Sequence, residues 1–404
     1  MQALQFCGDT RLDNTQVYNS ISEVDEEQWD SLVKANQIYL SRSYLRSIER
    51  ELSHIQFRYV QFYEQDKLVG IAYFQLIPIS EQEINFKILS KKLGGFLPSS
   101  FQKWLKTRIL ICGNAFATGE NGFVFDEDNH PSDSIKQLNR VIQNIVELEK
   151  KKNNPISLSI VKEFWSSPQH YSSDFKLMNY HELSIDVNMV LEFQPSWESF
   201  DDYLGSLNSK FRTKYKQVLK KSSELTIIDF DKSLAQDRLD DINDLYNRMV
   251  NKASFSFGRL NGNTLLAMKS SLGDAFFFRG YLFDDKLVGF ATATHTDGAM
   301  DGNFIGIDFE LNKRYAVYQR ILYDFIEHGI SNNLNGIRFG RTAEEIKSGV
   351  GALPVDMKFY AKHHNVLKNA LLKPFLKQLK PSEFRLRNPF KQQHKSPELD
   401  YKTT

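Results

Sequence analysis

The pentapeptide Asp-Lys-Leu-Val-Gly occurs twice in the chain, at 66–70 and at 285–289. Each copy follows an aromatic-rich stretch and precedes a run of small and aromatic residues. An aromatic strand, a short acidic turn and a second strand form the pattern of a β-hairpin. The copies start 285 − 66 = 219 residues apart, about half the chain, which is the spacing expected of a duplicated domain. The repeat therefore predicts two similar units, each built around a hairpin.

The segments that flank the two copies correspond to one another. Before each hairpin, apolar residues recur at helical spacing in two successive stretches. These predicted helices span 26–35 and 42–52 in the first half, and 236–251 and 263–272 in the second. After each hairpin we predict a strand, a long amphipathic helix and a short strand. The long helices span 133–152 and 311–330, and the short strands span 156–161 and 336–340.

Composition agrees with two globular units. A chain of 404 residues exceeds the size at which one core usually stops growing, and apolar residues make up 41% of it. The 51 basic residues balance the 50 acidic ones, so any site for an anionic partner must be local, and we expect no DNA binding. Cys7 and Cys112 have no metal-ligand spacing, and no apolar leader or membrane-length apolar run occurs. We expect a cytoplasmic protein without a transmembrane segment.

The order helix, helix, hairpin, strand, helix, strand, repeated twice, is a mixed α/β pattern. It resembles the GNAT acyltransferase superfamily, and more narrowly the Fem-type (FemAB-related) peptidoglycan aminoacyltransferases and related bacterial acetyltransferase-like proteins. Residues 203–216 are similar to the crossover helix of that family, and residues 339–351 are similar to its late strand and loop. The resemblance implies a mixed α+β fold of two tandem GNAT-like domains, each with a mixed central sheet flanked by helices.

This resemblance divides the chain into four parts. They are an N-terminal GNAT-like domain at 1–190, a basic crossover helix at 191–222, a C-terminal GNAT-like domain at 223–375, and a basic, weakly ordered tail at 376–404.

The crossover stretch 209–221 contains six basic residues and no acidic one. Clustered cations can hold a diphosphate, a nucleotide-linked donor or a tRNA backbone through charge-assisted hydrogen bonds. Alternatively, they form the solvated face of an amphipathic helix whose apolar stripe contains Phe211, Tyr215 and Val218. The candidates for contact with the donor phosphates are Lys210, Arg212, Lys214, Lys313 and Arg314.

The loop 340–351 has the densest set of polar candidates. Its three glycines permit close backbone approach, and four ionisable residues follow a strand predicted to be buried. Arg341 can pair with an anionic group, Glu345 can orient or deprotonate an amine, and Lys347 can neutralise an anionic donor. The alternative is that Glu344, Glu345 and Lys347 only solvate a surface helix.

Three further positions complete the candidate site. His295 lies on the strand after the second hairpin and can serve as a general base, although a structural histidine is the more common case. Asn303 and Asp308 lie near the end of the next predicted strand, and Asp308 can instead satisfy turn amides. The candidate catalytic residues are Glu345, His295 and Asp308. The candidate substrate-binding residues are Asn303, Arg341, Lys347, Glu344 and Tyr318. Tyr318 lies on the apolar stripe of the second long helix, where core packing is the more common role of a tyrosine.

One expected motif is missing. Acetyl-CoA-dependent GNAT enzymes carry a glycine-rich turn before the long helix, where backbone amides bind the diphosphate. Residues 311–318 contain no glycine, so the usual CoA-binding turn is not visible in the second half. In the first half, the glycine-rich stretch 113–122 matches no phosphate-loop spacing, and we predict a flexible loop there. The sequence also lacks zinc-protease, thiol-redox, nucleophile-elbow and Walker motifs.

The resemblance implies an N-acyltransferase that acts on an amine of a cell-envelope precursor, a sugar or another metabolite. The donor would be acetyl-CoA, another acyl-CoA or an aminoacyl-tRNA, with no bound cofactor or metal. The missing glycine turn keeps an alternative open. In that alternative, the chain is a non-catalytic GNAT-like protein that binds a peptidoglycan or polysaccharide precursor, or a biosynthetic complex.

Overall fold

A computed structural model of the chain describes residues 10–12, 14–78, 108–165, 171–184, 187–252, 259–376 and 384–391. The chain divides into two compact units. The first comprises Met1–Leu183 with Lys358–Leu379, and the second comprises Ser184–Met357 with Lys380–Thr404. Within the described ranges, no helix combines the length and the apolar character that crossing a membrane requires. Cys7 lies outside these ranges, and Cys112 is a buried free thiol.

The described residues of the first unit begin with eight strands and four α-helices. In chain order, they are β1 Thr10–Leu12, β2 Thr15–Tyr18, α1 Glu26–Leu32, α2 Arg42–Glu51, β3 Gln56–Glu64, β4 Lys67–Pro78, β5 Arg108–Cys112, β6 Phe123–Phe125, α3 Pro131–Lys151, β7 Ile156–Trp165, α4 Asp174–Leu177 and β8 His181–Leu183. Helix α3 starts with Pro131 at a position where its missing N–H costs nothing. Its apolar stripe, which includes Ile135, Leu138 and Ile142, is buried in the core of this unit.

The second unit follows. Its elements are β9 Asn188–Glu192, α5 Phe200–Ser206, α6 Ser209–Lys221, β10 Thr226–Asp229, α7 Lys232–Asp237, α8 Leu239–Lys252, α9 Gly262–Leu272, β11 Phe276–Phe283, β12 Lys286–Thr296, β13 Ala299–Ile307, α10 Phe309–Tyr315, α11 Val317–Ser331, β14 Gly336–Arg338, α12 Glu344–Ser348 and β15 Leu353–Val355. The chain then returns to the first unit with β16 Met357–His363 and α13 Val366–Leu376.

The repeated pentapeptide forms the same two-residue turn in both units. Gln65 and Asp66 have φ values of 47° and 67°, and Asp284 and Asp285 have φ values of 48° and 60°. Two successive residues with positive φ define the hairpin turn of type I′, which favours Asp and Asn. The predicted hairpins are therefore confirmed.

The Val-Gly pair forms a β-bulge at the same place in each hairpin. The register passes from Phe62↔Gly70 to Tyr63↔Leu68 in the first unit, which leaves Val69 as the extra residue. It passes from Tyr281↔Gly289 to Leu282↔Leu287 in the second unit. A bulge increases the local twist of a strand. The pentapeptide thus encodes a turn and a bulge together.

Both sheets have the same strand order when the repeats are matched. The first runs β1-β2-β3-β4-β5-β7-β16-β8, with β6 also paired to β4, and the second runs β10-β11-β12-β13-β14-β9-β15. In each sheet, a parallel pair is followed by a strand that comes from the other half of the chain. The two mixed sheets with their helices confirm the predicted mixed α+β fold built from two similar domains.

This exchange of strands divides the chain differently from the boundaries expected at 190, 222 and 375. Strand β16 and helix α13 fall in the expected C-terminal domain but belong to the first unit. Strand β9 and the crossover helices α5 and α6 belong to the second unit. In each sheet, a strand from the other half of the chain lies between two strands and pairs with both. The backbone hydrogen bonds of this pairing place the strand in the unit that is more distant in sequence.

Part of the predicted weakly ordered tail is packed against the second unit. Phe390 is buried, and its ring lies 5.6 Å from that of Trp197. Asn208 N donates to Pro389 O over 2.8 Å, and Lys391 N donates to Ser206 O over 3.0 Å. The expectation of a weakly ordered tail is therefore wrong for 384–391, because these contacts fix it. Residues 377–383 and 392–404 lie outside the described ranges.

The long helix predicted at 311–330 is interrupted. Ala316 adopts the left-handed conformation, with φ of 53°, between α10 and α11. The side chain of Asn312 reaches across this break, and its Oδ1 accepts a hydrogen bond from Tyr318 N over 2.8 Å. The cap formed by Asn312 compensates for an amide that would otherwise lack a partner at the start of α11.

We predict that Gly289 tolerates no side chain. A Cβ at this position would lie 2.6 Å from Val317 Cγ1, whereas a Cβ at Gly205 would meet nothing within 4 Å. Gly289→Ala should therefore lower the free energy of unfolding by about 1–3 kcal/mol. Gly205→Ala, the matched control in α5, should leave it within about 0.5 kcal/mol or raise it. Urea unfolding followed by circular dichroism measures both, and equal stability of the two variants would contradict this account.

Candidate functional site

The parallel pair β13 and β14 separates soon after it forms. Only Met300↔Ile337 and Asp301↔Arg338 are paired, although β13 continues to Ile307. After β14, the chain bonds to β9 instead, through a hydrogen bond of 2.8 Å from Phe339 N to Met189 O. We call the edge of β13 from 302 to 307, together with 339–341, the seam. Strands that diverge in this way leave backbone groups at the sheet centre available to a ligand.

A β-bulge in β13 borders the seam. The register passes from Ala291↔Ile305 to Ala293↔Gly302, so Asn303 and Phe304 together face Thr292. Phe304 N donates to Thr292 Oγ1 over 3.0 Å, and Asn303 Oδ1 accepts from Thr294 Oγ1 over 2.6 Å. Bulges of this kind change the direction of side chains next to active sites. The predicted substrate-binding residue Asn303 therefore lies at the seam, with its orientation fixed by Thr294.

The turn after β14 is strained and is held by Lys347. Thr342 and Ala343 have φ values of 64° and 53°, which residues with a Cβ rarely adopt. Each such residue costs on the order of 1 kcal/mol. The Nζ of Lys347 donates to Gly340 O over 3.0 Å and to Arg341 O over 2.6 Å. Strain that the surrounding structure maintains is characteristic of functional sites.

Lys347 is only 3% exposed. Burial lowers the pKa of its ammonium group to about 7, and the nearby Glu344 carboxylate opposes this effect only in part. The charged and neutral forms of Lys347 are thus both populated near neutral pH. A neutral lysine amine has two N–H groups and one lone pair, so the two carbonyls account for both of its N–H groups.

Asn188 is a buried polar residue that contacts the seam and that the sequence did not single out. It lies on β9, is fully buried, and accepts a hydrogen bond from Gly340 N at its Oδ1 over 2.9 Å. Its Nδ2 group has no hydrogen-bond partner within the described part of the chain. A buried amide that keeps a donor unused is unusual. The available signal was an asparagine inside the apolar run 187–191.

Two solved structures have a fold similar to that of this chain. Neither protein-family models nor curated protein sequences give a match. Among solved structures, FemX is similar with a TM-score of 0.52 and 10% identity, covering 83% of this chain and 96% of FemX. A tandem GNAT protein from the clavulanic acid biosynthesis pathway has a TM-score of 0.51 and 9% identity, covering 87% and 99%. The chain has a tandem GNAT-like fold similar to the folds of these two proteins. At these identities the likeness establishes the fold alone.

In this second unit, the predicted residues Arg341 and Glu344 lie close to Lys347, and Tyr318 lies close to Glu344. Burial lowers the pKa of Arg341 to about 10. Burial raises the pKa of the Tyr318 phenol, and the Glu344 carboxylate raises it further. Tyr318 therefore remains a neutral proton donor across the physiological range, with an anionic residue nearby.

Glu345 connects the loop to the basic crossover helix and to the C-terminal segment. Its Oε1 accepts a hydrogen bond of 2.5 Å from Arg387, which lowers the pKa of the carboxyl group. Lys214 of α6 also lies close by, because a Cβ on Gly349 would be 3.6 Å from Lys214 Nζ. Burial and the charges of Arg387 and Lys210 lower the pKa of Lys214. A catalytic role for Glu345 stays a prediction.

The predicted catalytic residues His295 and Asp308 each have structural partners. His295 Nε2 lies 3.1 Å from His328 Nε2, so one ring donates and the other accepts. Burial lowers the pKa of His295, and lowers that of His328 to about 4, so both rings are neutral at pH 7. Asp308 caps α10, since its Oδ1 accepts from Glu310 N and Leu311 N. These contacts favour structural roles, and catalytic roles for both residues stay predictions.

The five cations predicted to contact donor phosphates lie on two helices that pack against each other, α6 and α10. Arg212 donates to Leu207 O over 2.9 Å, and Lys313 pairs with Glu310 over 2.9 Å. The guanidinium of Arg314 lies over the ring of Tyr315. The start of α11 contains no glycine turn, and Asn312 already accepts the hydrogen bond from the amide of Tyr318. That amide is therefore not available to a diphosphate. The described residues include no group of three or more side chains suited to a metal ion.

The first unit fills the corresponding place with its own loop. There β5 and β7 pair over five residues, and the loop 113–122 that follows is mostly buried. Lys162, also buried, donates to Asn114 O and to Ala117 O, while Glu163 accepts from Gly119 N over 2.9 Å. The loop is therefore packed rather than flexible, because buried side chains of β7 satisfy its backbone groups. The open seam is a feature of the second unit.

We predict that Lys347 makes stability depend on pH. Its pKa is lowered from 10.5 to about 7 in the folded chain, so the unfolded chain binds more protons between these values. Its contribution to stability therefore rises as the pH increases through this window. Relative to Lys347→Met, the wild-type protein should become progressively more stable from pH 7 to pH 10 in urea unfolding. The exposed control Lys216→Met should show no such trend, and a difference independent of pH for Lys347→Met would refute the assignment.

Proposed function

We propose that this protein is an N-acyltransferase whose reaction takes place at the seam of the second unit. The observation that carries the proposal is the position of Lys347. It is a buried lysine, held by two carbonyls of a strained turn, next to the place where the parallel strands of a GNAT-like sheet diverge. Acyl transfer to an amine requires a base and a donor to the developing oxyanion in a site of this kind.

Lys347 is the proposed base. The acceptor nitrogen must lose a proton as it forms the new amide bond, and the most efficient base has a pKa near the operating pH. The two N–H groups of neutral Lys347 are bonded to Gly340 O and Arg341 O, which leaves the lone pair for that proton. In this scheme, Glu345 orients the loop through Arg387.

Two further side chains complete the proposed reaction. The unused Nδ2 donor of Asn188 is available to stabilise the negative charge that develops on the carbonyl oxygen. The neutral phenol of Tyr318 is available to protonate the leaving group as the bond to the acyl carbon breaks. Asn303 and Arg341 are the proposed contacts to the acceptor.

The proposed donor is an acyl-CoA or an aminoacyl-tRNA. The capped start of α11 favours a donor whose phosphates lie along α6 and α10 instead of at the helix terminus. Lys210, Lys214, Lys313 and Arg314 would supply the charge. The acceptor class that fits this scheme is an amine of an envelope precursor, a sugar or another metabolite.

The same cap favours one alternative, a non-catalytic protein that binds such a precursor. The two functions differ in an assay of acyl transfer. Purified protein is incubated with radiolabelled acetyl-CoA, or with aminoacyl-tRNA, and a panel of amino sugars and stem peptides. Transfer of label supports the enzyme. No transfer with any donor, together with a rise in melting temperature on adding an acceptor, supports the binding protein.

We predict that Lys347→Met lowers kcat/KM by at least about 100-fold, the usual contribution of a general base. The matched control is Lys162→Met, which removes a lysine that is equally buried and bonded to two carbonyls in the first unit. Activity per folded protein should persist in that control. Loss of activity in Lys162→Met alone would place the reaction in the first unit.

We also predict the pH dependence of the reaction. Because Lys347 acts in its neutral form, kcat/KM should rise with pH through about 7 and then level off. Lys347→Arg, which cannot deprotonate, should abolish this rise while it keeps the positive charge. A wild-type profile that stays flat between pH 6 and pH 9 would exclude Lys347 as the base, whatever the activity of the variants.

A further inference from the structure

Helix α13 exposes apolar side chains to solvent. Among the described residues, six large hydrophobic side chains are exposed, and three of them belong to this helix. Val366 is 82% exposed, Leu367 77% and Leu371 55%. Together with the exposed Ala370, they follow the spacing i, i+1, i+4, i+5 of one helical face. We call these four residues the α13 face.

The opposite side of α13 is hydrogen-bonded to other residues of the first unit. Asn369 Nδ2 donates to Asn179 O over 3.0 Å, and Asn369 O accepts from His181 Nε2 over 2.8 Å. Leu177, which is 83% exposed, precedes Asn179 by two residues. These bonds fix which side of the helix faces outward. The exposure of the α13 face is therefore set by the fold.

The segment that contains this face is basic. The described stretch 357–376 contains four lysines and no acidic residue, in a chain whose basic and acidic residues balance. Lys358, Lys362, Lys368 and Lys373 are the described members of this set. The nearby acidic residue Glu182 is paired with Lys176 over 2.9 Å and lies 3.9 Å from Lys358. Lys362 donates to Met178 O over 3.0 Å, so Lys368 and Lys373 are the lysines of α13 itself. The segment therefore combines positive charge with exposed aliphatic side chains.

We propose that the α13 face docks the protein on a membrane surface that contains anionic phospholipids. The aliphatic side chains would enter the boundary between headgroups and acyl chains, while the lysines would contact the lipid phosphates. A second copy of the chain is a poor occupant, because a two-fold interface would place the lysines of both copies against each other. A nucleic acid would leave the aliphatic side chains without an apolar partner.

Vesicle sedimentation of the full chain tests this proposal. We expect binding to vesicles of phosphatidylcholine with 30% phosphatidylglycerol, and binding at least tenfold weaker to phosphatidylcholine alone. Binding should weaken further as the salt concentration rises. The double variant Leu367→Glu/Leu371→Glu should lose at least tenfold in binding, and Lys373→Glu about fivefold. The matched control is Leu234→Glu, which alters an exposed leucine of α7 in the second unit and should bind like the wild type.

Circular dichroism and melting temperature establish that the variants are folded. Equal binding of the wild type and the double variant, or no preference for anionic vesicles, would overturn the proposal. A dimer in light scattering that the double variant converts to a monomer would also overturn it, because the α13 face would then be a protein interface. The acyl-transfer assay of soluble acceptors should be unaffected by the double variant, so this test is independent of the proposed function.

Discussion

The exchange of one strand between the two halves of the chain is the constraint on which the second unit depends. Strand β9 lies between β14 and β15, with Leu191 opposite Ile337 and Val190 opposite Leu353. Because β9 captures the backbone that follows β14, the parallel pair with β13 ends after two residues and the seam opens. The same strand carries Asn188, whose side chain binds Gly340. A strand that precedes the crossover helices therefore supplies both the shape and one polar group of the candidate site.

The strained turn and the buried lysine depend on each other. Thr342 and Ala343 hold left-handed conformations directly after the two residues whose carbonyls Lys347 binds. In return, the turn encloses Lys347 so completely that burial lowers the pKa of its amine to about 7. Any loosening of this turn would expose the amine and return its pKa toward 10.5. The lowered pKa on which the proposed role of Lys347 rests is thus a consequence of its burial.

Local features could be predicted from the sequence, and long-range ones could not. Each turn and bulge lies within the pentapeptide and the residue before it, so both hairpins were predictable from local sequence. The exchange of β9 and β16 leaves no trace in local periodicity, because either partner satisfies the same backbone groups. The break at Ala316 lacks the glycine that usually marks it. The docking of Phe390 depends on Gly351, where any Cβ would lie 2.3 Å from the ring, and that relation spans 39 residues.

The duplication also explains why one unit is the better candidate for catalysis. Each unit places a buried lysine, Lys162 or Lys347, next to its parallel strand pair and bonds it to two carbonyls. In the first unit, the pair extends over five residues, a loop fills the space beyond it, and Glu163 lies 3.5 Å from the ammonium. In the second unit, the pair stops after two residues. The two lysines therefore differ in the length of the parallel ladder beside them: Lys162 supports a loop, and Lys347 borders the seam.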